Sequence, residues 1–133
     1  MKEKEDLRNN FDLDVLYVED KSVNQKVFSI MLYNKGCKVD LASNGKEAVE
    51  MAGKNDYDII FMDLQMPVMD GLTAAKIIST EHDNPPPIVA VTAYYDIIEE
   101  SRLKENGIND IVSKPFNDEE IIDKLITYGI KHV

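Results

Sequence analysis

Glu19 and Asp20 follow directly on the apolar run Val15-Leu16-Tyr17-Val18, and Asp63 follows Ile59-Ile60-Phe61-Met62. Thr92 follows Ile88-Val89-Ala90-Val91, and Lys114 stands just past the run from Ile108 to Val112. Three carboxylates, a hydroxyl and an ammonium thus terminate short apolar segments. Brought together about 5 Å apart, two carboxylates repel by roughly 3 kcal/mol at an effective dielectric of about 20. They stay ionised only beside a cation; otherwise one takes up a proton. Hard oxygen donors suit Mg²⁺, which favours one or two carboxylates plus phosphate oxygens, and Mn²⁺ is expected to substitute. An aspartate beside such an ion is a candidate nucleophile toward phosphorus, with an aspartyl phosphate as product. The cation and Lys114 would neutralise the equatorial phosphoryl oxygens, and Thr92 would donate a hydrogen bond to one of them.

Taken singly, each residue has an ordinary explanation. Acids such as Glu19 and Asp20 favour the positive end of a following helix. Asp63 suits a buried ion pair with Lys114, Thr92 is an ordinary strand residue, and Lys114-Pro115 is an ordinary loop dipeptide. Their coincidence at four run ends outweighs these separate readings.

The elements that must position them are legible in outline. Val39-Asp40-Leu41-Ala42 completes a set of five short apolar runs that read as strands. The first, third and fourth are apolar at consecutive positions, the habit of parallel strands covered on both faces. Between them lie helical patterns. Ser22 to Lys35 carries Val23, Val27, Ile30 and Met31 at helical spacing, with Gly36 at its end. Asn44 with Glu47 opens a helix to about Gly53. Asp70-Gly71 opens one through Ile78, and Asp96 to Asn106 forms another, stopped by Gly107. Asn117 with Glu120 opens the last, which carries Ile121, Ile122, Leu125 and Ile126. Strand-helix alternation repeated five times predicts an α/β doubly wound, five-stranded parallel sheet with helices on both faces. In such sheets ligands bind beyond the carboxyl ends of the strands, where the five polar residues fall. Residues 1–12 read as a charged N-terminal lead-in or linker, ahead of one domain over 13–133.

Acidic residues outnumber basic ones 25 to 15 in 133, for a net charge of −10. That field opposes direct contact with nucleic acid or an anionic membrane and favours a cation or a basic partner. The single cysteine, Cys37, cannot form an internal disulfide, and a cytoplasmic location is expected. No apolar run approaches the roughly 20 residues of a membrane span.

The segments Val18-Glu19-Asp20, Met62 through Gly71 (MDLQMPVMDG), Val91-Thr92-Ala93 and Ser113-Lys114-Pro115-Phe116 resemble the receiver domain of two-component response regulators. The likeness runs from about Asp14 to Tyr128. Glu19 through Gln25, with Gly36 and Ala42-Ser43-Asn44-Gly45, is similar to receivers of hybrid histidine kinases and phosphorelays. The resemblance implies the flavodoxin-like strand order 2-1-3-4-5, which spacing alone does not fix. It implies Asp63 as phosphoacceptor, Asp20 as a direct Mg²⁺ ligand, Glu19 as a ligand through water, and the main-chain carbonyl of Gln65 as a further ligand. Thr92, Lys114 and the Ala93 N–H would hold the phosphoryl group, and the Lys114–Pro115 bond would be cis. The donor would be a phosphohistidine of a histidine kinase or histidine phosphotransfer domain, docking near Asn24, Gln25 and Phe28, with Phe28 alternatively part of the buried core. The domain would be a monomer or weak dimer, and a signalling module rather than an enzyme.

One position departs from the family pattern. Ile111 stands three residues before Lys114, where the family usually carries an aromatic that couples to the hydroxyl residue. That puts output through the face of the fourth helix and fifth strand in doubt, while a relay that passes the group onward tolerates it. Gln65 and Tyr94 flank the expected phosphoryl site, where the family tunes acyl-phosphate lifetime. Tyr94-Tyr95-Asp96-Ile97-Ile98 reads either as an exposed apolar patch or as packing of the fourth helix. A phosphatase of the haloacid dehalogenase kind would need an acid two residues after Asp63, where Gln65 stands. A flavin site would need a Gly- or Ser/Thr-rich first loop, which is here acidic. A pseudo-receiver that only binds protein would need a broken site, and all five positions are filled.

Overall fold

Among the described residues, five strands, β1 (Asp14–Val18), β2 (Lys38–Ala42), β3 (Ile59–Asp63), β4 (Ile88–Thr92) and β5 (Asp110–Ser113), alternate with five helices. These are α1 (Ser22–Tyr33), α2 (Gly45–Lys54), α3 (Gly71–Glu81), α4 (Glu100–Glu105) and α5 (Asp118–Lys124). A π-helical turn, Leu125–Gly129, prolongs α5. The structure, a computed structural model, describes residues 10–64, 66, 68–93 and 100–130. All strand pairs are parallel, in the order β2-β1-β3-β4-β5. The order implied by the resemblance is the one observed.

β1, β3 and β4 lie inside the sheet and are covered on both faces, which is why their sequences are unbroken apolar runs. Side chains alternate between two cores. Tyr17, Phe61 and Val91 join α1 and α5 on one side. Leu16, Ile60 and Ala90 join α2, α3 and α4 on the other. In the first core Phe28 sets its ring edge-on to Tyr17 and Phe61, at 4.3 and 5.0 Å between centroids, and tilts against Phe116 at 5.0 Å. Three of the caps expected from the sequence are present. Asn44 accepts from Glu47 N–H at 2.9 Å, Asp70 from Thr73 N–H at 2.8 Å and Asn117 from Glu120 N–H at 2.9 Å. The Glu47 carboxylate closes its box on Ser43 N–H at 2.6 Å, one residue upstream of the cap.

Several expectations need correction. Of the apolar residues at helical spacing in α1, Val23, Val27 and Ile30 are exposed and Met31 is only partly buried. The buried face is Phe28, Ser29 and Leu32. The helix carries two apolar stripes, and periodicity alone does not say which one meets the sheet. Ile126, one of the apolar residues of the last helical pattern, is also exposed. Phe11 is buried and its N–H bonds the Lys35 carbonyl at 2.8 Å, so the first core reaches into the segment read as a lead-in. β5 begins at Asp110, two residues later than the apolar run, and Asn109 just ahead of it pairs with Ile88 twice, by its N–H to the Ile88 carbonyl at 2.8 Å and by its side-chain oxygen from Ile88 N–H at 2.9 Å. The expected start of the fourth helix and the Tyr94–Ile98 patch lie outside the described residues.

Candidate metal and phosphoryl site

β1 delivers the first acid. Glu19 N–H still bonds the Ala42 carbonyl at 3.0 Å, so the ladder carries Glu19 into the interior, where it is fully buried. Two amides from the first turns of α1 brace it. Asn24 Nδ2 donates to Glu19 Oε1 at 2.6 Å, and Gln25 Nε2 donates to the Glu19 carbonyl at 2.6 Å. β3 ends on Asp63 and β4 ends on Thr92, both buried. Lys114 N–H extends the β4–β5 ladder to the Thr92 carbonyl at 2.8 Å. Its ammonium reaches back to Glu19 Oε2 at 3.5 Å and Asp63 Oδ2 at 3.8 Å. The Lys114–Pro115 bond is cis.

One carboxylate oxygen each from Glu19, Asp20 and Asp63 lies within 4.8 Å of the others, with Asp20 on the open side. The pocket has a volume of about 260 Å³ and is also lined by Lys21, Asn24, Thr92, Ala93 and Lys114. Burial disfavours the Glu19 anion, but hydrogen bonds with Asp63, Asn24 and Lys114 outweigh it and hold its carboxyl below the usual range. A hydrogen bond between two carboxyls needs a proton on one of them, and a cation can replace that proton. The donor set is all hard oxygen, half-caged by protein and open on one side. It fits a small divalent ion that keeps part of its water shell. Burial, then the nearby Glu19 and Asp63 charges, push the Tyr17 phenol far above its ordinary value, so it stays protonated below the site.

The structure therefore gathers Glu19, Asp20, Asp63, Thr92, Ala93 and Lys114 around one pocket. Gln65 and Tyr94 lie outside the described residues. Of the three residues expected at a docking face, Phe28 belongs to the core, and Asn24 and Gln25 are turned to Glu19. Their bracing role was missed; the signal was two amides five and six residues after a buried acid, at a helix start. Ile111 is half-buried against the second core. Beside the pocket runs an apolar groove of about 470 Å³, between Val27 and Met31 of α1 and the loop at Pro115 and Phe116.

The sequence pattern for the response regulator receiver domain matches residues 15–126. The osmosensing histidine protein kinase SLN1 of Saccharomyces cerevisiae is 40% identical over 118 residues, which cover 84% of this chain and 10% of that protein. The signal transduction histidine-protein kinase BarA of Escherichia coli is 33% identical over 117 residues, 87% of this chain and 13% of BarA. The chain thus spans about a tenth of the length of these relatives. Among solved structures, the receiver domain of sensor histidine kinase PA1611 from Pseudomonas aeruginosa superposes with a TM-score of 0.81 at 35% identity. The match covers 88% of this chain and 97% of that one, which holds a magnesium ion in its active site cleft. The receiver domain of Ssk1, crystallised with the histidine phosphotransfer protein Ypd1 of Saccharomyces cerevisiae, gives 0.79 at 32% identity, over 89% of each chain.

Proposed function

This chain belongs to the response regulator receiver domain family, and from that premise we propose that Asp63 accepts a phosphoryl group from a phosphohistidine, for two-component or phosphorelay signalling. The observation that carries the reading is the convergence of Glu19, Asp20 and Asp63 oxygens within 4.8 Å, with the Lys114 ammonium beside Glu19 and Asp63. Glu19, Asp20, Asp63 and the Gln65 carbonyl would hold Mg²⁺. When bound, the ion supplies charge neutralisation for the transferring group. The chain's own part is positioning. An Asp63 carboxylate oxygen forms the new bond to phosphorus as the phosphorus–nitrogen bond breaks, and the electron pair returns to the donor imidazole. Lys114, the Thr92 hydroxyl and the Ala93 N–H hold the three equatorial oxygens.

The donor is a histidine kinase or histidine phosphotransfer domain, as a related receiver's partnership with Ypd1 suggests. It docks on the exposed stripe Val23, Val27 and Ile30 and the groove toward Phe116, rather than on Phe28. The domain turns over no substrate beyond its own phosphorylation and dephosphorylation. The buried free thiol of Cys37 suits a reducing cytoplasm.

Intact mass after incubation with Mg²⁺ and acetyl phosphate tests this. One added phosphoryl mass is expected, absent from Asp63→Asn and from a chelated sample. No adduct from acetyl phosphate or from a phosphorylated histidine phosphotransfer domain would sink the reading and leave a protein-binding pseudo-receiver.

A further inference from the structure

The turn that follows Asp63 is tied down at both ends by glycine amides. Gly71 N–H reaches the Leu64 carbonyl at 3.3 Å, and Gly45 N–H, at the start of α2, reaches the Met69 carbonyl at 3.2 Å. Between these ties Val68 stands at φ +72° with its side chain 79% exposed. A β-branched residue resists that left-handed conformation, because its Cβ crowds the carbonyl. So exposed a side chain has little packing to hold it there, so the restraint comes from the ties.

Gly45 is not needed for backbone freedom. Its φ lies outside the left-handed region, and alanine is the better helix former. Space is what forbids alanine, since a Cβ at Gly45 would stand 2.5 Å from the Met69 carbonyl oxygen and 3.0 Å from Met69 Cβ. Gly53, in the same helix, would meet nothing within 4 Å. The path onward is short. Gly71, two residues after Met69, packs so closely on the Asp63 carbonyl that no Cβ would fit there either.

We propose that Gly45 is a positioning residue for phosphoryl transfer, acting through the Met69 carbonyl to hold the strained turn between Asp63 and α3. The inference rests on the receiver reading above. In it α2, which contributes no side chain to the pocket lining, serves as the buttress of the phosphoacceptor loop. Moving the Met69 carbonyl aside releases the Val68 turn, and the turn then relaxes away from the placement that Asp63 requires.

The test compares Gly45→Ala with Gly53→Ala and the unaltered chain, each checked for cooperative melting. Gly53→Ala is expected to match the unaltered chain in phosphorylation by acetyl phosphate. Gly45→Ala is expected to fold, to exchange its Met69–Gly71 amides faster even without metal, and to be phosphorylated about tenfold more slowly. Adding Val68→Gly, which relieves the strain, should recover most of that rate, as a general loss of stability would not allow. A folded Gly45→Ala with normal rate and exchange overturns the inference, and so does a slow rate that Val68→Gly leaves slow. If Gly45→Ala does not fold, the unaltered chain decides: its Gly45 amide should exchange more slowly once Mg²⁺ and beryllofluoride are loaded, and unchanged exchange overturns the inference. An unaltered chain that takes no phosphoryl group overturns the receiver reading instead, while the metal-free exchange still reports on the Gly45 tie.

Discussion

Ser29 shows what a single polar atom does inside α1. It is buried between Phe28 and Leu32, and its hydroxyl has no hydrogen-bond partner among the described residues. An unsatisfied buried donor forfeits its water without replacement. Ser29→Ala keeps the shape, removes that group and improves helix propensity. It is expected to stabilise the fold by about 1 kcal/mol, measured by urea unfolding with an unchanged m-value. The same scale shows what the sequence revealed of the site. Glu19, Asp20, Asp63, Thr92 and Lys114 were legible because each ends an apolar run, and a parallel sheet sends all its run ends to one edge. Asn24 and Gln25 were not, because an uncharged amide near a helix start looks the same whether it faces solvent or, as here, the carboxylate and main-chain carbonyl of a buried acid. Met69 and Gly45 were invisible as a pair, because their contact is main chain to main chain across two loops.

At the scale of elements, α1 is legible in the sequence, but which of its faces meets the sheet is not. Its two apolar stripes, Val23-Val27-Ile30 and Phe28-Leu32, both satisfy helical spacing, and the large aromatic won the interior because it fits between Tyr17 and Phe61. The stripe left outside is the expected landing face for a phosphohistidine donor. Val27→Asp should therefore change unfolding free energy by less than about 0.5 kcal/mol, as an exposed site allows. It should slow transfer from a histidine phosphotransfer domain while leaving the acetyl phosphate rate unchanged. Equal rates from both donors would place the docking face elsewhere. At the other end of the sheet, α5 and its π turn are clasped to β5. Asp110 Oδ2 accepts from Lys124 Nζ at 2.8 Å and from the Tyr128 hydroxyl at 3.0 Å. Partial burial opposes the Asp110 anion, but Lys124, the Ile111 N–H and Tyr128 outweigh it, and the carboxyl lies below its ordinary value. A depressed folded value means the clasp contributes fully above the unfolded carboxyl value of about 3.9 and fades as pH falls through the folded value. Asp110→Asn should melt below the unaltered chain at pH 7, by about 1 kcal/mol or less for so open a pair. That difference should close toward pH 3 in paired thermal melts.

For the whole molecule, the strand runs and turn residues announced the topology because every interior strand is covered twice and the alternation admits few arrangements. Charge is the property that the fold leaves concentrated. A net charge of −10 repels itself in the compact state, so any salt is expected to stabilise the domain somewhat by screening. Mg²⁺ should do more, because Glu19, Asp20 and Asp63 gather charge at one pocket that only the folded chain possesses. An ion bound only by the native state stabilises by RT ln(1 + [L]/Kd), about 2.7 kcal/mol at a hundredfold excess over Kd. Thermal melts in MgCl₂ and in NaCl of equal ionic strength separate the two effects. The MgCl₂ series should lie higher and keep rising with the logarithm of concentration, whereas NaCl should level off as screening saturates. Asp20→Asn removes a charge from the open side of the pocket without touching the buried Glu19 bracing. It should collapse the Mg²⁺ advantage onto the NaCl curve while leaving the salt-free melt unchanged or raised, since one repelling carboxylate is gone. Coincident MgCl₂ and NaCl curves in the unaltered chain would show that the acidic cluster acts only as part of the general field.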